Sequence, residues 1–287
     1  MRWLVEELYA PVHQSLRIDV SIHHGRSGFQ QIDIFENAQL GRVLVLDGVV
    51  QTTERDEHVY HEMLTHVPIM AHGAAKHVLI IGGGDGGMLE EALKHPVDSV
   101  TMVEIDGEVV ALSRRHLPNI CGQAFEDPRA EVIIGDGAAF VRETERLFDV
   151  IIVDSSDPIG PAEVLFRQEF YAACRDRLAP GGLLVTQNGV VFHQQDEVLG
   201  THRCFRSVFR HHGFYFAAVP MYVGGIMAFG WASDSLDLLA VDRKTLADRY
   251  RLAKLTTDYY NPDIHVAALA CPSALARQLE AAGKQTG

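Results

Sequence analysis

The run His77-Val78-Leu79-Ile80-Ile81-Gly82-Gly83-Gly84-Asp85-Gly86-Gly87 constrains this chain more than any other stretch. Its apolar, β-branched half reads as a strand buried in a parallel sheet. The glycines that follow permit a tight turn and a close approach of backbone to a ligand. A helix is expected to open near Met88 and to continue through Leu89-Glu90-Glu91-Ala92-Leu93. Strand, glycine turn and helix make the first unit of a Rossmann-like nucleotide site. Asp85 sets this turn apart. A turn built to receive phosphate avoids a carboxylate, so this one suits a ligand that carries positive charge.

The following segments extend the same sheet. A second strand, 99–106, ends near Glu104, about twenty residues beyond the glycines, where an acid accepts hydrogen bonds from both hydroxyls of a ribose. Asp106 suits the cap of a helix over 107–115. A third strand, 130–134, delivers Gly135-Asp136-Gly137. Asp136 can accept from the amine of an adenine or cap the next helix, and composition leaves both open. A fourth strand, 148–153, delivers Asp154-Ser155-Ser156-Asp157-Pro158-Ile159-Gly160-Pro161-Ala162 at its carboxyl end, where open α/β sheets bind ligands. Two carboxylates three residues apart are costly to place together unless a cation sits between them; a divalent metal or a solvated loop are the alternatives. A helix over 163–178, a strand over 183–187 and a helix over 196–211 follow. A hairpin of 214–219 and 226–232 closes the chain's sheet. The expected fold is α/β, a Rossmann-like seven-stranded sheet of the methyltransferase type, which a terminal antiparallel hairpin typifies.

A small antiparallel β domain precedes it. Leu16, Ile18, Val20 and Ile22 alternate with polar residues, as do residues 29–35, with a hairpin over 25–28. Residues 43–46 and 49–52 flank Asp47-Gly48, a strong hairpin dipeptide. Thr53 and Asp56 have the spacing of a capping box, and a helix from Glu57 is expected to stop at Pro68. Tyr60 reads as core packing with a hydrogen-bonded hydroxyl, and His61 as a solvated helix face. We place the N-terminal β domain at 1–66 and the catalytic domain at 67–287.

The formal charge of −13 argues against nucleic acid, whose binders present a basic face, and is compatible with a cationic substrate. Cys121, Cys174, Cys204 and Cys271 are far apart, without a CxxC pair, as in reduced cytosolic proteins. None of the histidine spacings forms a metal motif, so no metal is expected. The first residues lack the apolar centre of a signal peptide, and no apolar run reaches the ~20 residues that span a bilayer.

These motifs, in order and preceded by Leu46-Asp47-Gly48 and Thr53-Glu54-Arg55-Asp56-Glu57…Tyr60-His61-Glu62-Met63, resemble the spermidine synthases, the polyamine aminopropyltransferase family, and are closest to bacterial members. The resemblance covers nearly the whole chain. It implies transfer of an aminopropyl group from decarboxylated S-adenosylmethionine, a co-substrate, to putrescine, with no resident cofactor. By matching position, Gln30, Glu104, Asp136, Gly137 and Pro161 would hold the methylthioadenosine part, and Asp85 the amine of the aminopropyl arm. Tyr60, His61, Asp154, Ser155, Ser156 and Asp157 would line the putrescine channel, with Gln51 and Tyr222 nearby. Asp154 would accept the proton, and 155–165 would form a lid. The resemblance also implies a cytoplasmic homodimer or homotetramer without nucleic-acid or membrane partners. One departure stands out: some members, chiefly eukaryotic, grip the distal amine with a glutamate after the fifth strand, where this chain has Gln187-Asn188-Gly189-Val190.

Overall fold

The N-terminal region folds as six strands: β1 (Arg2–Tyr9), β2 (Val12–Ile18), β3 (Val20–Arg26), β4 (Gln31–Asn37), β5 (Gly41–Leu46) and β6 (Val49–Thr53). β1 and β2 form a separate hairpin, and β3-β4-β5-β6 an antiparallel sheet. Ile32, Ile34 and Leu44 pack one face of that sheet on the rest of the chain, against Val109, Leu117 and Ile120. Phe35, Val43, Val45 and Val50 meet Leu4, Leu16 and Ile18 of the hairpin on the other. This computed structural model describes residues 2–9, 11–156 and 160–284, with backbone alone at 160, 161 and 284.

The larger region runs α1 (Glu57–His72), β7 (His77–Gly82), α2 (Gly87–Leu93), β8 (Ser99–Glu104), α3 (Gly107–His116), α4 (Pro118–Cys121), β9 (Ala130–Ile134), α5 (Gly137–Glu143) and β10 (Phe148–Asp154). It continues with α6 (Gln168–Asp176), β11 (Leu178–Val190), α7 (Gln195–Val208), β12 (His211–Ala217), β13 (Met227–Ser233), α8 (Arg243–Ala253), α9 (Pro262–Ala268) and α10 (Ser273–Lys284). The seven-stranded sheet has the order β12-β13-β11-β10-β7-β8-β9. Its five central and right-hand strands pair in parallel, and β13 is antiparallel to both neighbours. The mixed, methyltransferase-type sheet and the N-terminal antiparallel region are thus as the sequence implies. Alternate residues of β7 serve two layers: Val78 and Ile80 face the α1 side, Leu79 and Ile81 the α5–α7 side. The chain leaves β7 toward β8 on one side and returns to β10 on the other, so β7 and β10 flank the topological switch point. There Asp154 pairs with Gly82. Among the described residues no helix is long and apolar enough to cross a membrane.

Local structure departs from the sequence expectation at several points. The alternation from Leu16 to Ile22 is two strands, not one. Asp19 interrupts it by accepting from Arg17 Nε and the Ala38 amide. The β1–β2 hairpin had no counterpart in the sequence reading. The helix does not stop at Pro68: α1 runs to His72 and ends on Gly73 in the left-handed conformation. A proline in a helix interior costs about 3 kcal/mol. Val67, Ile69 and Met70 around it are buried, and each contributes roughly 1.5–3 kcal/mol, so packing prevails. Thr53 and Asp56 do not form a capping box. Thr53 Oγ1 donates to Asp56 Oδ1 at 2.6 Å, while Asp56 Oδ2 accepts from the Met221 amide. The helix expected over 163–178 is a 3-10 turn, Gly160–Phe166, followed by α6. Arg167, extended at φ −89° and ψ 151°, separates the two. β11 begins earlier than expected, at Leu178, and α7 ends at Val208, leaving His211 in β12.

Candidate active site

A cavity of ≈ 570 Å³ opens at the switch point between the two regions, within the range of small-molecule sites. Gln30, Gln51, Tyr60, Asp85, Glu104, Asp136, Gly137, Asp154, Ser155, Ser156 and Tyr222 all line it. Asp157 lies outside the described residues, as does the side chain of Pro161. His61 does not reach the wall. It stands behind Asp85, its side chain 1% exposed, and is not on a solvated helix face.

The charged end is built on close backbone contact. Gly82 has φ +86°, and a Cβ there would lie 1.9 Å from the Asp154 carbonyl oxygen; the Gly83 amide donates to that same oxygen at 3.1 Å. The turn therefore holds Asp85 and Asp154 side by side. Asp85 Oδ1 accepts from the Gly87 amide at 2.9 Å, and Oδ2 lies 3.3 Å from His61 Nε2. His61 Nδ1 lies 2.6 Å from Glu57 Oε2. Tyr60 donates its hydroxyl to Asp154 Oδ1 at 2.5 Å.

This arrangement separates the two aspartates. Burial would raise Asp85, but the His61 cation and the Gly87 amide outweigh it and hold the carboxyl below its ordinary range. Burial and the neighbouring Asp85 charge push Asp154 up to about 6, against the opposing pull of His61 and Tyr60. Burial also opposes charge on His61. Asp85 and Glu57 more than offset it and keep the imidazole protonated well above its usual range. Ligand atoms of His61, Asp85 and Asp154 lie within 4.8 Å of one another, the one such cluster among the described residues. A ring bonded to carboxylates through both nitrogens has no lone pair for a metal; the cluster suits an organic cation better.

The other end suits a nucleoside. Glu104 lines the cavity at the end of β8, its Oε1 held by the Asp106 amide at 2.8 Å. Burial, with Asp106 and Asp154 near, pushes its carboxyl up to about 7. Asp136 caps α5, Oδ1 accepting from the Ala138 and Ala139 amides at 2.8 and 3.1 Å, and also reaches the cavity. Gln30 comes from the loop between β3 and β4, and its Nε2 donates to Asp106 Oδ2 at 3.0 Å. Asp106 also caps α3 through the Glu108 amide, as its position implied.

At the far wall the Tyr222 hydroxyl donates to the Gln51 carbonyl at 2.6 Å. Gln187 Nε2 donates to the Ser155 and Ser156 carbonyls at 2.9 and 3.4 Å, and its Oε1 accepts from the Gly189 amide. It clips the base of the 155–165 segment. Glu6, which the sequence reading passed over, brings a carboxylate to this wall; the residue is 8% exposed. Its Oε2 accepts from the Val50 amide at 3.0 Å and Gln14 Nε2 at 3.1 Å. The alternation in β1 shows which residues share a face, but only the docking of the hairpin shows that the face meets this cavity.

Known proteins resemble this chain over nearly its whole length. A family model described as the spermine/spermidine synthase domain matches residues 57–244, and one described as the spermidine synthase tetramerisation domain matches residues 2–54. Polyamine aminopropyltransferase 1 of Pseudomonas aeruginosa is 54% identical over 281 residues, covering 98% of this chain and 97% of its own. A polyamine aminopropyltransferase of Klebsiella pneumoniae is 51% identical, covering 96% of this chain and 97% of its own. A crystal structure of a spermidine synthase in complex with the transition-state analogue AdoDATO superposes with a TM-score of 0.92 at 38% identity, over 98% of this chain and 95% of that one. The spermidine synthase of Thermotoga maritima gives 0.91 at 38% identity, with the same coverage. With a domain match over most of its length and relatives this similar end to end, the chain belongs to the spermidine synthase family and is a polyamine aminopropyltransferase.

Proposed function

We propose that the enzyme transfers the aminopropyl group of decarboxylated S-adenosylmethionine to putrescine, giving spermidine and 5′-methylthioadenosine, with Asp154 as proton acceptor. The observation that carries this reading is the pair Asp85 and Asp154, within 4.8 Å of each other on one wall and driven apart in proton affinity. Asp85 stays ionised and suits a permanent grip on an ammonium. Asp154 takes a proton near neutral pH, as a general base should. An ammonium has no lone pair, so one proton passes from putrescine nitrogen to Asp154. The freed pair then attacks the carbon next to sulfur, and the carbon–sulfur electrons leave with a neutral thioether. Alignment of nitrogen, carbon and sulfur supplies further acceleration.

Glu104, Gln30, Asp136, Gly137 and Pro161 would hold the adenosyl part, and Asp157 would line the putrescine channel with Tyr60 and Asp154. With glutamine at position 187, Glu6, which lines the same cavity, would share with Asp157 in holding the distal amine. The donor is consumed, so the chemistry needs neither a resident cofactor nor a metal. The likeness of a relative's structure bound to AdoDATO supports the same substrate class. The tetramerisation-domain match and exposed Trp3, Val5 and Val20 support a homodimer or homotetramer joined through the N-terminal strands, and the composition supports a cytoplasmic setting.

Turnover with the decarboxylated donor and a series of diamines tests the reading by product mass. Putrescine is expected to be the best acceptor, and the rate is expected to fall as pH drops through about 6, where Asp154 takes up its proton. Failure of aminopropyl transfer, or a flat profile between about pH 8 and 5, would refute it. In the same assay Glu6→Gln is expected to raise the putrescine KM by roughly tenfold, the loss of one charge-assisted bond, with the donor KM unchanged. An unaltered putrescine KM would remove Glu6 from the acceptor site.

A further inference from the structure

Glu57 stands on the side of His61 away from the substrate. The ring bridges Glu57, 2.6 Å from Nδ1, and Asp85, 3.3 Å from Nε2. Asp85 lines the cavity described above, whereas Glu57 lines a second one, of ≈ 520 Å³. His61, 1% exposed, is the partition between them. Glu57 therefore lies out of reach of the substrate.

We propose that Glu57 is a positioning residue for the transfer reaction: by bonding Nδ1 it fixes the His61 ring as a cation, and so keeps Asp85 ionised and leaves Asp154 to take the proton. This inference rests on the reaction proposed above.

Two carboxylates this close in a buried site tend to share one proton. A shared proton gives neither a separate role. His61 breaks the symmetry because it bonds Asp85 and not Asp154. Yet a buried imidazole on its own loses its charge to desolvation, so it takes a second carboxylate to hold it. Glu57, one helical turn earlier on α1, supplies that charge from directly below the ring. The other charged groups around the ring come from different elements: Asp85 from the turn after β7, Asp154 from β10 and Glu91 from α2. Glu91 and its neighbour Glu90 are tied to Lys94 at 2.8 and 2.9 Å. The start of α2 also presses on the ring: a Cβ at Gly87 would lie 2.3 Å from His61. Ring orientation is thus fixed by packing, and ring charge by Asp85 together with Glu57.

The full-length enzyme with nitrogen-15-labelled histidine tests this by NMR, His61 being assigned from His61→Gln. In the wild type both ring nitrogens are expected to be protonated at pH 7. In Glu57→Gln the midpoint of His61 is expected to fall by roughly 1–3 units, the usual effect of losing an adjacent opposite charge. Loss of the cation raises both aspartates. The acid limb of kcat/KM then moves to higher pH, and the rate recovers in alkali. Glu90→Gln, which removes a nearby carboxylate not bonded to the ring, should leave both readouts in place. A His61 midpoint that does not fall in Glu57→Gln, an acid limb that does not move, or an equal shift in Glu90→Gln overturns the proposal. If Glu57→Gln does not fold, His61→Gln must show the same alkaline shift of the acid limb, and an unmoved limb overturns it. The ring measurement needs no turnover, so it decides the role of Glu57 even where Asp154→Asn shows the proposed chemistry to be wrong.

Discussion

Asp154→Asn is expected to lower kcat by roughly 10²–10⁴-fold, the range lost when a positioned general base is removed. The asparagine keeps the shape of the side chain and can still meet the Tyr60 hydroxyl, which now donates to Asp154 at 2.5 Å. It cannot take a proton from an ammonium. Affinity for methylthioadenosine should hardly change, because the residues proposed to hold it, Glu104, Asp136 and Gln30, are left in place. Removing a buried carboxyl whose proton affinity is already raised should also leave the fold intact. Single-turnover product analysis and calorimetric titration with methylthioadenosine check the two halves. Near-normal turnover would take the proton-accepting role away from Asp154; a lost nucleoside site would mean that the substitution acts through structure.

Gly82→Ala is expected to be at least as damaging, for a reason that lies in the backbone. The new Cβ would sit 1.9 Å from the Asp154 carbonyl oxygen, at φ +86°. Neither partner is a flexible tip that can swing away. Relief requires β7 and β10 to part where Gly82 pairs with Asp154, which moves Asp85 and Asp154 relative to each other. A displacement of about 1 Å in a reacting group costs on the order of 10²-fold in rate, and the strained backbone adds about 1–3 kcal/mol of instability. We expect a loss of turnover above a hundredfold together with a lower melting temperature. Gly135→Ala is the control, since a Cβ there meets nothing within 4 Å. Equal effects of the two substitutions in kinetics and thermal melts would show that crowding at Gly82 is not the cause.

What could be read before the structure was what depends on neighbours in sequence. The strand, turn and helix around Gly82–Gly87, the cap at Asp106 and the strand that carries Asp154 are local patterns, and the structure keeps them. The extension of α1 through Pro68 was not legible, because the groups that outweigh the proline come from packing with distant segments. The same holds for His61. Its helix spacing looks neutral, and only the approach of the Gly83–Gly87 turn buries it and gives it Asp85 as a partner. Glu6 was missed for a related cause: β1 is tied to the cavity through Val50 and Gln14, contacts that no short window contains.

The docking of the β1–β2 hairpin has a wider consequence. A fragment starting at Glu57 would retain the glycine turn, Glu104, Asp136 and Asp154, yet it would be a trough open at one side. The paired aspartates belong to one module, and Glu6, Leu8 and Tyr9 of another line the same cavity. Changes confined to the first dozen residues can therefore reshape that wall without altering Asp85 or Asp154 themselves.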